Sequence, residues 1–558
     1  MLRLGISGNF YHIIKSMYSI SNFAVKLPIG ILPPFLSNTG LKQGCNLSPT
    51  LANLFQNDLH DIFDDSCSPV NLGNICFNSL SWADDLVLIS TTPQGLQRCL
   101  DKLKDYCNTW GLTVNKAKTK CMTFSSGNVR SKNCMFFDNK PLSQVNSFEY
   151  LGIILQSNGK FKQAIAARMA KATRALFMYK QALKTTGNVN TRLTMSIFDK
   201  QIIPVLTYGC PIWGLPSTTN YLTITGTNDT RHARQLINTI CGRSIATTWI
   251  RNTSSRGSPS ELKVLMNLDN FEDKEIILLS RHKLPTHIAI HDNFLDCDTY
   301  TYEKLHTQFC KFVLNIPRQA GNHASRGELG RFPLCNKIWS LAAKYWLRLE
   351  YGTENIFLNN AFACAKAENH TWVQQIHSIL TKFGFGHIWN NPLLTTPRIL
   401  GKTFQMRLND IYTQTWSTTQ SQSSRFSLQA SLQQSYQMSP YLDNVETIEP
   451  RNILTRLRID MNYLNESLGR QQRAPNRFCP NCQSTIETVN HFIMDCPLYD
   501  SQRSQLYESI LPIDHHFHYL NIEEKFKYII NVEYAPSSNA ISKFISAIYH
   551  NRQQLSSL

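Results

Sequence analysis

The chain has 558 residues, 16 cysteines and a formal net charge of +17, from 56 Lys and Arg against 39 Asp and Glu. This length allows several domains with buried cores, and a basic excess of this size indicates a polyanionic partner such as nucleic acid. The sequence contains no secretory signal and no apolar run long enough to span a membrane. We therefore expect no membrane partner and a reducing intracellular compartment, in either the nucleus or the cytoplasm.

A loop bounded by two glycines leads into a predicted helix. Residues 40–44 read GLKQG, and Ser48 and Pro49 follow, which are favoured at a helix N-cap and at the first helical residue. Apolar residues then recur at helical spacing from Leu51 to Ile62. Backbone N–H groups at such a helix N-terminus can face phosphate.

Two adjacent carboxylates lie at the predicted turn of a β-hairpin. Two largely apolar runs, residues 76–81 and 86–89, flank Trp82-Ala83-Asp84-Asp85, so the pattern predicts a strand, a tight turn and a second strand. Two Asp side chains at a turn form a hard-oxygen site that suits Mg²⁺. Asp-Asp is also common in solvated turns, and this pattern alone leaves both interpretations open.

Four motifs in this order resemble one protein family. The loop QGCNLSP, the turn WADD, the segment GLTVNKAKTK at 111–120 and FEYLG at 148–152 resemble the palm of reverse transcriptases of the non-LTR (LINE-type) retrotransposons. The palm resemblance covers roughly residues 1–155, and similar proteins extend through most of the remainder. It implies an RNA-directed DNA polymerase with an RNA template and a DNA primer as partners.

The resemblance implies an α+β fold, in which a partial palm, an antiparallel sheet with packed helices, precedes a helical thumb and a mainly α-helical C-terminal region. We expect the helical region to be interrupted by a Ser/Gln/Thr-rich stretch at about 413–440. The sequence does not indicate an oligomeric state. The expected domains are a partial palm at 1–155, a thumb at 156–215, a mainly helical region at 216–470, a zinc knuckle at 471–505 and a helical tail at 506–558.

The resemblance also assigns roles to the palm residues. Asp84 and Asp85 would hold two Mg²⁺ ions, about 3.5–4 Å apart in such sites. Ala83 would leave room for the primer end, and Gln43 and Gly44 would line the site of the incoming nucleotide and template. Lys118 would neutralise or protonate pyrophosphate, although a solvated surface lysine explains the same basic run. The hairpin that grips the primer would contain Phe148, Tyr150, Leu151 and Gly152, which alternatively form a plain strand with a turn glycine.

A third carboxylate is missing from this pattern. A two-metal clamp needs an acid from a separate strand, which in the family precedes a segment resembling residues 4–8. The first acidic residue of this sequence is Asp58. We therefore expect the chain to be the C-terminal part of a longer retroelement protein and to lack polymerase activity alone. The alternatives are a non-catalytic RNA- or DNA-binding remnant or domesticated protein and, more remotely, a group II intron-type maturase, against which the FEYLG motif argues.

A basic helix is predicted after the palm. Residues 160–200 contain nine Lys or Arg against one acid, Asp199, and their apolar residues recur at helical spacing. This pattern predicts a thumb helix that packs inward and shows its basic face, including Lys171 and Arg174, to the phosphates of a nucleic-acid duplex.

A Cys/His cluster stands near the C-terminus. The spacing C-x2-C-x8-H-x4-C joins Cys479, Cys482, His491 and Cys496, which as three thiolates and one imidazole would form a closed, structural Zn²⁺ site. It resembles the C-terminal CCHC knuckle of LINE-type proteins. Nearby side chains would bind single-stranded nucleic acid. They are Arg470, Arg473, Arg477, Phe478, Phe492 and Tyr499.

Overall fold

The computed structural model contains two compact units, one formed by 1–160 with 355–364 and the other by 161–354 with 365–558. Within the described residues, no helix is both long and apolar enough to cross a membrane. The described residues are 1–19, 21–37, 40, 42, 44–125, 134–186, 190–215, 220–225, 235, 249–252, 261–266, 287–291, 300–423, 425–471, 473–474 and 476–556.

The first unit combines helices with short strands. Its helices are α1 (Gly8–Ser19), α2 (Ser48–Phe55) and α3 (Pro93–Trp110). Its strands are β1 (Ser21–Phe23), β2 (Lys26–Leu27), β3 (Gly30–Ile31), β4 (Phe35–Ser37), β5 (Val70–Leu72), β6 (Ile75–Phe77), β7 (Ser79–Trp82), β8 (Asp85–Leu88), β9 (Lys120–Cys121), β10 (Phe136–Phe137), β11 (Lys140–Pro141), β12 (Ser143–Gln144), β13 (Ser147–Tyr150) and β14 (Ile153–Gln156).

The strands of the first unit differ from the predicted sheet. Among the described residues they form separate two-stranded ladders rather than one antiparallel palm sheet, and β9 pairs with β12 in parallel. All of these strands are short, with two to four residues each. Hydrophobic periodicity predicted the strands but does not specify which strands pair.

Helix α3 is the main support of the predicted hairpin. The Thr92 side chain caps its N-terminus by accepting a hydrogen bond from the Gly95 N–H at 3.0 Å, and Gly111 ends it with φ 63°. Leu100 and Leu103 of α3 belong to a buried cluster against which Leu86 and Leu88 of β8 are packed. The alternation along β8 thus turns its leucines toward α3 and fixes the hairpin on the core.

The second unit is largely helical. Its helices, together with one that crosses residues 355–367, are α4 (Lys162–Thr186), α5 (Thr191–Ile197), α6 (Ile203–Thr207), α7 (Cys210–Trp213), α8 (Thr301–Val313), α9 (Asn322–Glu328), α10 (Leu334–Glu350), α11 (Ile356–Ala367), α12 (Thr371–Lys382), α13 (Gly386–Asn390), α14 (Pro397–Gln422), α15 (Ser427–Leu432), α16 (Tyr441–Asn444), α17 (Ile448–Arg458), α18 (Asn465–Arg470), α19 (Asp500–Ile510), α20 (Ile522–Asn531) and α21 (Ser538–Ser556).

The structure adds a sheet to the region 216–470 and shortens its expected interruption. Four described segments between 220 and 291 form a four-stranded antiparallel sheet. Short apolar runs fit a strand as well as a helix, so the sequence did not predict this sheet. Its strands, in sheet order, are β16 (Trp249–Asn252), β17 (Glu261–Met266), β15 (Asn220–Thr225) and β18 (His287–His291). Helix α14 also continues to Gln422, well into the expected interruption. Leu408, Tyr412 and Trp416 are buried at a spacing of four residues, and this apolar stripe outweighs the polar composition.

Candidate active site and metal centre

The predicted catalytic turn is present as a two-residue connection. Strands β7 and β8 pair from Ser79 opposite Leu88 to Trp82 opposite Asp85, which leaves Ala83 and Asp84 as the turn. Ala83 has φ 54°, as the primed turns that suit a hairpin require at this position. Asp84 and Asp85 are exposed, and Trp82 keeps 67% of its surface accessible. The turn therefore presents both carboxylates to solvent.

The glycine-bounded loop and this turn share one cleft of about 720 Å³. Asp84 lines it together with Lys42, Gly44, Cys45, Asn46, Ser48 and Pro49. The structure thus brings two predicted site residues, Gly44 and Asp84, to the same cavity. Gln43 lies outside the described residues.

Ser48 fixes the loop but does not cap the helix. It is the first residue of α2 and is buried, with no side-chain hydrogen bond to the helix N-terminus, so the N-cap assignment was wrong by one residue. Its hydroxyl donates to the Lys42 carbonyl at 2.7 Å, and the Tyr18 hydroxyl lies 3.2 Å from it. The Lys42 ammonium donates to the Met17 carbonyl at 2.7 Å and lies 5.3 Å from the Tyr18 ring centre. These contacts hold the loop against α1.

The carboxylates at the turn fit a divalent metal only in part. Asp84 is the one carboxylate among the described residues that line the cleft. The described part of the chain has a single group of three or more metal-ligating side chains within 4.8 Å of one another, and it is not at this turn. Asp58, the first acid in the sequence, accepts a hydrogen bond from the Tyr106 hydroxyl at 2.7 Å. Asp84 and Asp85 could hold one Mg²⁺ completed by water, but the described residues supply no third carboxylate from another strand.

Lys118 lies in a turn organised by Asn115. The Lys118 N–H donates to the Asn115 carbonyl and to its side-chain oxygen, both at 3.1 Å. The side chain of Lys118 is exposed, and it is not among the residues that line the cleft. Lys116 of the same motif pairs with Asp138 at 2.5 Å. Lysines of one basic run therefore have different environments, which the sequence does not indicate.

The FEYLG motif forms a second hairpin. Strands β13 and β14 pair from Ser147 opposite Gln156 to Tyr150 opposite Ile153, and the turn residues Leu151 and Gly152 have φ 46° and 77°. Phe148 and Leu151 are more than one-third exposed. Burial raises the pKa of Tyr150, and the negative charge of Asp85 raises it further. This electrostatic interaction indicates that the two hairpins are neighbours.

The basic helix has the predicted two-sided character. Ala172 and Leu176 of α4 are buried at 0% and 3%, whereas Arg174 is exposed and Lys171 is partly so. Phe177 and Met178 are also exposed, at 59% and 68%. The solvent face therefore offers cations beside apolar surface.

Three of the four predicted zinc ligands form one tight group. Cys479, His491 and Cys496 are buried, with their ligand atoms within 4.8 Å of one another, and the two sulfur atoms are 3.9 Å apart. The sulfur of Cys482 lies 3.5 Å from Nε2 of His491. Zn–S bonds of about 2.3 Å and Zn–N bonds of about 2.0–2.1 Å, at tetrahedral angles, give separations of about 3.8 Å and 3.5 Å. The donor set and its spacing fit a closed zinc site.

The Cys/His cluster is part of a larger core. Cys479, Phe492, Cys496 and Tyr499 belong to one buried cluster, which also includes residues of α17, α19, α20 and α21. Phe492 and Tyr499 are each 1% exposed, so the expectation that they stack on bases was wrong. Glu487 in the same segment pairs with buried Arg552 of α21, with Nη2 of Arg552 2.9 Å from Oε2. Aromatic residues beside metal ligands can be exposed for stacking or buried in a core, and the sequence alone does not separate these two environments.

The remaining side chains that were predicted to bind nucleic acid near the cluster differ in their surroundings. Arg470 forms ion pairs with Asp460, at 3.2 Å, and with Glu466. Arg473, Arg477 and Phe478 are exposed, Phe478 at 47%. Only these last three present a surface that nucleic acid could reach.

His60 supports the β7–β8 hairpin and was not predicted from the sequence. The two ring nitrogens of His60 lie 2.7 Å from the Ser79 hydroxyl and 3.1 Å from the Ser81 hydroxyl, both on β7. His60 thus links the 3₁₀ turn Leu59–Ile62 to the strand that leads into the turn at Ala83. No spacing pattern joins positions 60 and 79, so only the structure reveals this contact.

Polymerases stabilise nucleotidyl transfer with divalent metal ions, for which carboxylates such as Asp84 and Asp85 are suitable ligands. Residues 5–155 match the family model described as reverse transcriptase (RNA-dependent DNA polymerase).

Known proteins similar to this chain include three from retroelements. A probable RNA-directed DNA polymerase from transposon BS of Drosophila melanogaster is 23% identical over 224 residues, which is 38% of this chain and 24% of the relative. A retrovirus-related Pol polyprotein from a type-1 retrotransposable element R2 of Popillia japonica is 32% identical over 136 residues, or 23% and 22% of the two chains. The RNA-directed DNA polymerase from mobile element jockey of Drosophila funebris is 20% identical over 221 residues, or 38% and 24%.

The chain spans about a quarter of the length of these relatives. The matched family model and these relatives agree with the resemblance to non-LTR reverse transcriptases that the motif order predicts. The Cys/His cluster lies outside the matched residues 5–155.

Proposed function

We propose that this chain is part of an RNA-directed DNA polymerase of a non-LTR retrotransposon, and that the cleft beside Asp84 receives the incoming nucleotide. The observation that carries the proposal is the shared cleft, which is lined by Asp84 of the hairpin turn, by Gly44 of the loop and by Ser48 at the start of α2. Polymerisation needs a triphosphate held between metal-binding carboxylates and phosphate-binding groups. The match of residues 5–155 to reverse transcriptases supports this assignment.

In this proposal, each palm residue has a physical task. The Asp84 and Asp85 carboxylates hold Mg²⁺, which when bound supplies Lewis-acid stabilisation of the reacting oxygens. Gly44 lacks a side chain and so lets the triphosphate approach the loop backbone. Lys118 supplies a mobile positive charge for the leaving pyrophosphate.

The primer is held by the second hairpin. Exposed Phe148 and Leu151 supply apolar contact beside the turn at Leu151 and Gly152. Ala83 leaves space for the primer 3′ end at the catalytic turn. Burial and the nearby charge of Asp85 raise the pKa of Tyr150 in this hairpin.

In the second unit, α4 binds duplex phosphates through Lys171 and Arg174, and the Cys/His cluster holds one structural Zn²⁺. We place any single-strand contact of the knuckle on Arg473, Arg477 and Phe478, because these side chains are exposed. The partners are thus an RNA template and a DNA primer.

The test is extension of a DNA primer on an RNA template with Mg²⁺. The chain is joined to the N-terminal part of the transposon BS polymerase, and Asp84→Asn is compared with Asp105→Asn, an exposed acid of α3. We expect extension that Asp84→Asn abolishes and Asp105→Asn leaves intact. Extension that is unaffected by Asp84→Asn contradicts the proposal.

A further inference from the structure

A cluster of positive charge lies where the end of α4 meets the end of α8. Lys180 and Lys184 are one helical turn apart on α4, so their side chains project from the same face. Arg318 lies in the loop after α8, and its carbonyl accepts a hydrogen bond from the Lys311 ammonium at 2.7 Å. The Arg456 guanidinium donates to the carbonyl of Asn315 in the same loop at 3.5 Å.

The environment of Lys180 disfavours its positive charge. Its ammonium lies 4.7 Å from the centre of the Phe312 ring, and the side chain is partly buried. Burial lowers the pKa of Lys180, and the charges of Arg318 and Lys184 lower it further. Because Lys180 is partly desolvated and repelled by neighbouring cations, an anion bound beside it would be stabilised.

No protein acid occupies that place within the described residues. Helix α4 contains no Asp or Glu over its 25 residues. The only acid of α8 is Glu303, which is fully buried and accepts a hydrogen bond from the Cys335 N–H at 2.9 Å. Of the described acids, none forms an ion pair with Lys180, Lys184 or Arg318, although other cations of this unit, such as Lys366 and Arg458, are paired.

We propose that Lys180, Lys184 and Arg318 form a binding site for a backbone phosphate of the bound nucleic acid, beyond the contacts of Lys171 and Arg174. The inference rests on the proposed function, because nucleic acid is the polyanion that such a polymerase must hold. The site joins α4 to the loop after α8, so one phosphate contacts two segments that are far apart in sequence. The Phe312 ring stabilises the Lys180 ammonium until the phosphate binds.

The test measures the salt dependence of binding by the full chain, with fluorescence anisotropy of a labelled RNA–DNA duplex and of the same RNA as a single strand. Lys180→Met keeps an aliphatic side chain over Phe312 and removes the charge, and Arg318→Gln removes the second cation. Lys402→Gln, an exposed lysine of α14, is the matched control. We expect each cluster variant to flatten the slope of log affinity against log salt by about one unit on at least one probe, and the control to leave it unchanged.

A second measurement separates a binding site from a structural role. Removing the Lys180 charge relieves repulsion, so we expect Lys180→Met to raise the melting temperature of the free chain while it weakens binding. If both cluster variants keep the wild-type slope of log affinity against log salt while Lys171→Ala/Arg174→Ala flattens it, the phosphate site proposed here is wrong. The proposed function then still stands. Salt-independent binding by the wild type contradicts the proposed function itself.

Discussion

The sulfur of Cys482 lies 3.5 Å from Nε2 of His491, which is the separation that two ligands of a tetrahedral zinc ion require. His491 is in turn grouped with buried Cys479 and Cys496. The cluster belongs to the same core as α17, α19, α20 and α21. Its ligands therefore connect a short metal-binding segment to the packing of a much larger helical unit.

The first prediction concerns metal content and stability. The full chain should contain about one zinc per molecule, and Cys482→Ala should remove it and lower the melting temperature of the C-terminal core, because metal binding here contributes to folding. Zinc is measured by mass spectrometry and unfolding by circular dichroism. Cys134→Ala, at an exposed cysteine, is the control and should change neither quantity. Wild-type protein without zinc at neutral pH would refute the site.

Breaking a buried ion pair should strongly lower the stability of the second unit. Glu328 and Arg458 are 0% and 1% exposed, and Nε of Arg458 lies 3.1 Å from Oε2 of Glu328. Arg458→Met should lower the free energy of unfolding by about 3–5 kcal/mol, because it leaves a buried carboxylate unpaired. Denaturant titration measures the effect.

The matched controls for this pair are a double variant and an exposed pair. Glu328→Gln combined with Arg458→Met should recover part of the loss, since the uncompensated charge is gone. Lys527→Met, which breaks the exposed pair with Glu523, should change stability by less than about 1 kcal/mol. If Arg458→Met and Lys527→Met lower the free energy of unfolding equally, burial does not determine how much each ion pair matters for stability.

These cases separate what local sequence patterns predict from what they do not. The turn at Ala83 and Asp84 follows from apolar runs on both sides of a polar pair, and the structure has it at that position. Phe492 and Tyr499 were assigned to a surface because aromatic residues beside metal ligands fit either environment, and they are buried. The partner of Glu328 is 130 residues away in Arg458, and no spacing pattern reports such a contact.

The charge at Asp85 should be detectable at Tyr150. Burial raises the pKa of Tyr150 and the charge of Asp85 raises it further, so Asp85→Asn should lower it part of the way toward the ordinary value near 10. Because a raised pKa favours the protonated folded state, this tyrosine stabilises the fold below its unfolded pKa and loses that effect as pH rises through its folded pKa. NMR of ¹³C-labelled tyrosine, assigned with Tyr150→Phe, measures the shift, and Asp105→Asn is the control. An unchanged Tyr150 pKa in Asp85→Asn would mean that the two hairpins are not neighbours.

The basic face of α4 should bind nucleic acid mainly through phosphates. Log affinity for a primer–template duplex should fall linearly with log salt, and Lys171→Ala combined with Arg174→Ala should reduce the slope by roughly one unit for each lost contact. Fluorescence anisotropy at several salt concentrations measures both. Lys402→Ala on α14 should keep the wild-type slope. The assignment fails if the double variant binds with the same slope as the wild type.

The 558-residue chain alone should not extend a primer. Asp84 and Asp85 come from one hairpin, and the described residues that line the cleft add no other carboxylate. The transferring phosphoryl group is therefore not held from two sides. We expect no product on an RNA template with Mg²⁺. We also expect weak Mn²⁺ binding by paramagnetic resonance, which Asp84→Asn removes and Asp105→Asn preserves. Robust extension by the unmodified chain that Asp84→Asn abolishes would show that two carboxylates suffice or that another group completes the site.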